Sequence, residues 1–417
     1  MIKRSGFHVG MCAVIFQAVI GARICRGSGY EFEGIGAREV SRGGAAIADS
    51  ADWTAIYWNP ANIQKAVEDR KADMGLELFA GQAHATDGNS LSSTPVGAAF
   101  SKDKLSSNFL LGAIGGAVKV SDRVSVGGGF YTPLLQGVDF SDDSKNPPAM
   151  NLHYKASAGI LTWALETAFR VTDKFYAGLG VDLLYGKLKS DSRLTNFPFP
   201  TNDIQNKLDG AGFGLEGIFG LRYEASKRLA IGAVYRTGSD VALKGNATVG
   251  NTNPLVPGES TKFRYELRHP PTTGVGIAFK PTEQWSLDAD FTQTYWHRFT
   301  SAFAYKNQGL FLQNTNNGFD WHDSWKLRFG TGYWVTEKTE VLGGYSFDKA
   351  ALDPGSVDFA NTVDVPMNRV YAGASHRWSD RWESTVGGVY GAGRRSEANA
   401  TYHLSGWQVM LETRLRV

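Results

Sequence analysis

"WKLRFGTGYWVTEKT", residues 325–339, decides the fold. Trp325, Leu327, Phe329, Thr331, Tyr333 and Val335 fall on one side of an extended chain, and Lys326, Arg328, Gly330 and Gly332 fall on the other. Thr336-Glu337-Lys338 then reverses the direction with a small hydroxyl residue and two charges. The run is longer than a usual strand of five or six residues. It matches instead the roughly 9–11 tilted residues that cross a bilayer. The same two-faced pattern recurs over 407–417 and over 175–185, where Phe175, Ala177, Leu179, Val181, Leu183 and Tyr185 share a face.

Working outward, the turn is one of six: "VSDRV" at 120, "VTDKF" at 171, "ASKRL" at 225, "PTEQW" at 281, "VTEKT" at 335 and "WSDRW" at 378. Their spacing of about fifty residues is an internal repeat. Between them lie longer polar segments, 133–152, 189–208, 244–262, 306–318, 349–361 and 394–401. Short connections at one end and long ones at the other predict a transmembrane β-barrel. Six turns join twelve strands; one more at about 71–83 and one at the C-terminus make fourteen. A soluble propeller also repeats near fifty residues. It needs four short strands per repeat, where this chain offers two long ones. Trp285, Trp334, Trp378 and Trp382 beside the tight turns suit an interfacial girdle.

Composition agrees. There are 49 Gly, 24 Phe, 16 Tyr and 11 Trp among 417 residues, and no apolar run long enough for a spanning helix. Residues 1–27 read as a signal peptide, with Lys3 and Arg4 ahead of an apolar run from Val9 to Ala22. Removing their four basic residues turns the formal charge of +2 into −2, so a nucleic-acid partner is not expected. Both cysteines, Cys12 and Cys25, go with the signal, leaving hydrogen bonding and burial to hold the mature chain.

Fourteen strands enclose more space than side chains fill. Residues 28–70, ahead of the first strand (barrel 71–417), are therefore assigned as a hatch in the lumen. Their signature is "GGAAIADSADWTAIYWNPANI", 43–63. A helical turn should stop at Tyr57-Trp58, because the residue before Pro60 is driven out of the α region.

These residues resemble the FadL/TodX family of outer-membrane transporters for long-chain fatty acids and other hydrophobic molecules. Asn59-Pro60-Ala61 matches its hatch motif, and "WSLDADFTQTYWHRF", "WHDSWKLRFGTGYW" and "GYSFDKAALDP" follow in order. The resemblance implies an all-β, 14-stranded antiparallel barrel with a small helical hatch in the bacterial outer membrane. Its partners would be a hydrophobic ligand (a fatty acid or an aromatic or aliphatic hydrocarbon) and outer-membrane lipid, and it would act as a monomer without a cofactor. It further implies a ligand pocket against the hatch, with Tyr30, or Phe32 as the near alternative, as its aromatic, Arg193 near one basic position and His322 where the second basic partner is expected. It implies a sideways exit at the third strand. That strand reads "VSVGGGFYTPLLQGVDF"; Gly127, Gly128, Gly129 and Pro133 are residues that weaken or bulge a ladder.

Asp288 and Asp290, two apart on one strand, are what any polar lumen offers, and Lys326 and Arg328 read most simply as solvated lumen residues. "VGGGF" lacks a following helix to cradle phosphate, and no cluster has metal-ligand spacing. No enzyme activity is expected. The alternatives are a general porin for polar solutes and a secretion-associated barrel that holds a partner protein.

Overall fold

A computed structural model describes residues 33–87, 104–143, 151–197, 202–252, 257–316, 320–353, 364–396 and 401–417. The segment 1–27, Tyr30 and Phe32 lie outside them. Fourteen antiparallel strands form one closed barrel. In chain order they are β1 (Ala72–Asp87), β2 (Lys104–Lys119), β3 (Val124–Asp143), β4 (Asn151–Arg170), β5 (Phe175–Phe197) and β6 (Asn202–Ser226). Three strands are built from two collinear pieces. They are β7 (Leu229–Arg236 and Ser239–Asn251), β8 (Glu259–His269 and Thr272–Phe279) and β9 (Trp285–Thr294 and Thr300–Tyr305). Then come β10 (Ser324–Trp334), β11 (Thr339–Asp348), β12 (Met367–Arg377), β13 (Trp382–Ser396) and β14 (Thr401–Arg416). Pairing of β1 with β14, from Asp73↔Arg416 to Asp87↔Tyr402, closes the sheet and removes its edges.

The alternation works as the residues predict. On β10, Phe329 and Tyr333 are exposed outward, while Lys326, Arg328, Gly330 and Gly332 are buried inward. On β14, Trp407, Val409 and Leu411 point outward, opposite Gln408, Glu412 and Arg414. The outward apolar surface meets lipid tails, which cost it nothing.

The tight turns show why each begins with Ser or Thr. In five of the six, that hydroxyl accepts backbone N–H groups two or three residues on. Ser121 takes those of Arg123 and Val124, Thr172 those of Lys174 and Phe175, and Ser226 that of Arg228. Thr336 and Ser379 repeat the device. At the other end the strands run farther than expected. Most of 189–208 and 244–262, read as loop, is strand in β5, β6, β7 and β8. Polar composition there marks where the wall rises out of lipid into water; the ladder continues.

Residues 33–71 enter the barrel before β1. They form α1 (Ala37–Ser41), α2 (Ala55–Trp58), a 3-10 turn (Pro60–Asn62) and α3 (Ile63–Ala66). Asn59 is extended (φ −164°, ψ 110°), so the helix stops one residue before Pro60. These helices are too short to stand alone. Packing against the wall holds them, with Trp53, Ile56 and Ile63 fully buried.

Candidate functional site

Most of these inward charges of the wall are buried partners of the hatch, and Lys326 is buried against another wall strand; none is a solvated lumen residue. Arg42 is buried against Asp288 and Glu39. The Asp290 carboxylate accepts the backbone N–H of Ala46 at 2.8 Å and of Ile47 at 2.9 Å. Glu77 accepts the Gly36 N–H at 2.8 Å, and Glu412 accepts the Trp53 indole N–H at 2.7 Å. Lys326 is buried 3.6 Å from Asp348. A chain with so few helical bonds leaves many backbone groups to satisfy, and these carboxylates satisfy them.

Asn59 ties the two parts together. It is fully buried. Its Nδ2 donates to the carbonyls of Ile47 (2.8 Å) and of Leu221 on β6 (3.0 Å), and its Oδ1 accepts the Ala61 N–H (3.0 Å). Glycines on the inner wall let the motif come this close. A Cβ at Gly220 would overlap Asn59 Oδ1, and one at Gly178 would overlap the Pro60–Ala61 peptide.

Above the end of α2 lies a cavity of about 150 Å³. Tyr57 and Trp58 form its floor, and Tyr131, Pro133, Ile160 and Leu184 form one side. Its polar lining includes Thr162, Glu216, Arg236, His269 and Arg328. The Tyr57 ring stands edge-on to Tyr131 with centroids 5.5 Å apart, so the hatch touches β3 directly. Arg236 is committed. It bonds Glu216 at 2.8 Å, Asp182 at 3.1 Å and the Tyr57 carbonyl, and lies 5.1 Å from the Tyr57 ring centroid. Arg328 lies 5.9 Å from the Trp58 ring centroid and makes no ion pair among the described residues. It is 7% exposed, a buried cation facing the cavity.

Beside the cavity the wall changes. The β2–β3 ladder runs from Lys119↔Ser125 to Ala113↔Tyr131 and stops. Beyond it, β2 pairs with β1 and β3 with β4. The β3–β4 register shifts between Tyr131↔Thr162 and Leu134↔Ile160, a one-residue bulge at Thr132-Pro133. Pro133 both forms the bulge and lines the cavity. The glycines before it have a different part. Gly127, Gly128 and Gly129 are paired on both sides, and a Cβ at Gly127 would press on Ile56 and Ile63 of the hatch.

Arg193 and His322 are not brought to this cavity. Arg193 is exposed on β5, 3.5 Å from Asp203. His322 is exposed before β10, and its Nε2 is 3.0 Å from Asp353. The cavity's own polar residues sit at inward positions of β4 and of β6 to β10; the alternation could have flagged Arg328 but not that it forms no ion pair among the described residues.

The model of one protein family, outer membrane protein transport protein (OMPP1/FadL/TodX), matches residues 29–413. The chain belongs to the FadL/TodX family. Its sequence relatives include the 47 kDa outer membrane protein of Pasteurella multocida, 23% identical over 95% of this chain and 94% of that one. A putative outer membrane protein of Neisseria meningitidis serogroup B is 22% identical over 84% and 82%. Among solved structures, a Pseudomonas aeruginosa FadL homologue superposes with a TM-score of 0.75 at 14% identity, covering 92% of this chain and 99% of that one. The P. putida toluene transporter TodX gives 0.71 at 15%, covering 93% and 99%. This FadL/TodX-type chain is thus an outer-membrane transport protein and no enzyme.

Proposed function

We propose that the protein carries a compact hydrophobic molecule, about the size of one aromatic ring, across the outer membrane. The molecule rests in the cavity on Tyr57 and Trp58 and leaves sideways into the bilayer at the Thr132-Pro133 bulge. One observation carries this reading: Pro133 lines the cavity at the point where the β2–β3 ladder ends. The cavity's volume of about 150 Å³ is room for about one aromatic ring, set between Tyr57, Trp58 and Tyr131. A long acyl chain would extend well beyond it. TodX, of the same fold, is described as a toluene transporter, cargo of that size. A hatch packed to the wall on several sides weighs against a general porin.

The test is deletion of Pro133. Removing one residue restores regular pairing between Tyr131 and Leu134 without turning any later side chain to the other face. The variant is expected to form a heat-modifiable barrel, to bind an aromatic tracer, and to lose its uptake into cells. Unchanged uptake would remove the sideways exit.

Arg328 favours a second reading, a hydrophobic acid whose carboxylate meets the guanidinium. A charge-assisted bond is worth about 1.5–3 kcal/mol. Arg328→Ala should then weaken binding of an aromatic carboxylate roughly 10- to 150-fold and leave toluene binding unchanged. Equal effects on both ligands would favour the uncharged cargo.

A further inference from the structure

On β5 the outward face is apolar from Phe175 to Tyr185, and on β6 from Tyr223 to Phe213. Ten residues at about 3.3 Å each, tilted by about 40°, span about 25 Å, the height of the lipid-facing band of such barrels. Lys187 is the next outward residue on β5, so the face above it stands among the headgroups of the outer leaflet.

That face is basic. Among the described residues, the outward positions of 187–193, 203–211, 240–248 and 260–268 carry eight lysines and arginines and five carboxylates. Each carboxylate is tied to a cation, most closely Asp240 to Arg268 (2.6 Å) and Glu266 to Arg264 (2.8 Å). Among the described residues, Lys187, Lys244 and Lys262 are left without a carboxylate partner. They sit on one patch. Lys187 pairs with Ala211 and Ala211 with Lys244 in the ladder, so two lysines flank a small side chain from backbones about 10 Å apart. Lys244 in turn faces Arg264, and Lys262 is the next outward residue. The chain as a whole carries a formal charge of only +2, so this concentration is local.

We propose that this face of β5–β8 is a docking site for a lipid headgroup bearing two phosphates, of the kind found in the outer leaflet of an outer membrane. One phosphate lies between Lys187 and Lys244 over Ala211, and the second reaches Lys262. Polar groups at this height cannot be satisfied by acyl chains, and anionic headgroups are the complementary charge available there. The bound lipid would cover the outer wall beside β6 and brace the tall strands above the membrane.

The full-length protein in neutral detergent is titrated with diphosphoryl lipid A, and bound lipid is counted by native mass spectrometry. Wild type is expected to retain lipid A and not phosphatidylcholine. The variant Lys187→Gln/Lys244→Gln/Lys262→Gln should bind lipid A roughly tenfold or more weakly, while keeping heat-modifiable mobility and cavity binding of an aromatic tracer. A control with the same charge loss at the opposite end, Lys174→Gln/Lys227→Gln/Lys338→Gln, should bind as wild type. Equal loss in both variants would mean that only net charge is read, and would overturn the site. So would displacement of the lipid by millimolar inorganic phosphate, which would mark a free-anion site, or lipid binding unchanged in the first variant.

Discussion

Replacing Asn59 should open the hatch and spare the barrel. Asn59→Ala removes three hydrogen bonds, buried ones to Ile47 and Ala61 and a half-buried one to Leu221. Each is worth about 1 kcal/mol net, and more where the abandoned group has no water. The Ile47 carbonyl keeps a second donor, Asn62 Nδ2 at 3.2 Å, so its loss is partial. The Leu221 carbonyl loses its tie to the hatch, and the Ala61 N–H loses its cap. The sum is about 2–3 kcal/mol on hatch docking, or a roughly 30- to 150-fold rise in the undocked population. Hydrogen exchange of amides 33–66 should accelerate by that factor while the strand amides keep their protection. Planar-bilayer recordings should go from nearly silent to conducting. Asn59→Asp sharpens the test. It keeps the acceptor toward Ala61 but turns a carboxylate toward two carbonyl oxygens, so it should loosen the hatch more than alanine does despite its matching shape. Hatch exchange unchanged in both variants would refute the reasoning, as would barrel and hatch unfolding together.

Two further outcomes follow from the same packing. Gly220→Val places methyl groups where Asn59 Oδ1 lies; it should raise conductance as Asn59→Ala does, with the heat-modifiable shift retained on gels. Ser379→Ala also deletes two hydrogen bonds, but to the exposed N–H groups of Arg381 and Trp382. Water replaces them, so denaturant midpoints should report less than about 1 kcal/mol; a loss as large as that of Asn59→Ala would show that burial is not what makes Asn59 costly.

The wall was legible in the residues because a strand's side chains alternate by geometry, whatever the strand packs against. Phe175 to Tyr185 and Trp325 to Tyr333 had to face one way, and the Ser/Thr turns carry their own hydrogen bonds. Carried past Tyr185, the same alternation already places Arg193 outward, away from any lumen site. The end of α2 was equally local, since Pro60 acts on its own neighbour.

Tertiary structure alone decided what the inward charges do. Asp288, Asp290 and Glu412 alternate like any lumen residues, and only the folded hatch brings Arg42, the Ala46–Ile47 amides and Trp53 onto them. Which cation faces the cavity without an ion pair is likewise a matter of distance. Among the described residues Arg236 is ion-paired to two carboxylates and Arg328 to none, although both sit inward on a strand. The bulge in β3 was half legible: the sequence marks both the three glycines and Pro133 as residues that weaken or bulge a ladder, and only pairing tells them apart. Gly127 to Gly129 look like the weak point, yet they pair on both sides, Gly127 leaves room for Ile56 and Ile63 and Gly129 for Ile56, and the bulge falls at Thr132-Pro133. Alternation is a property of one strand, whereas pairing depends on neighbours hundreds of residues away in the chain.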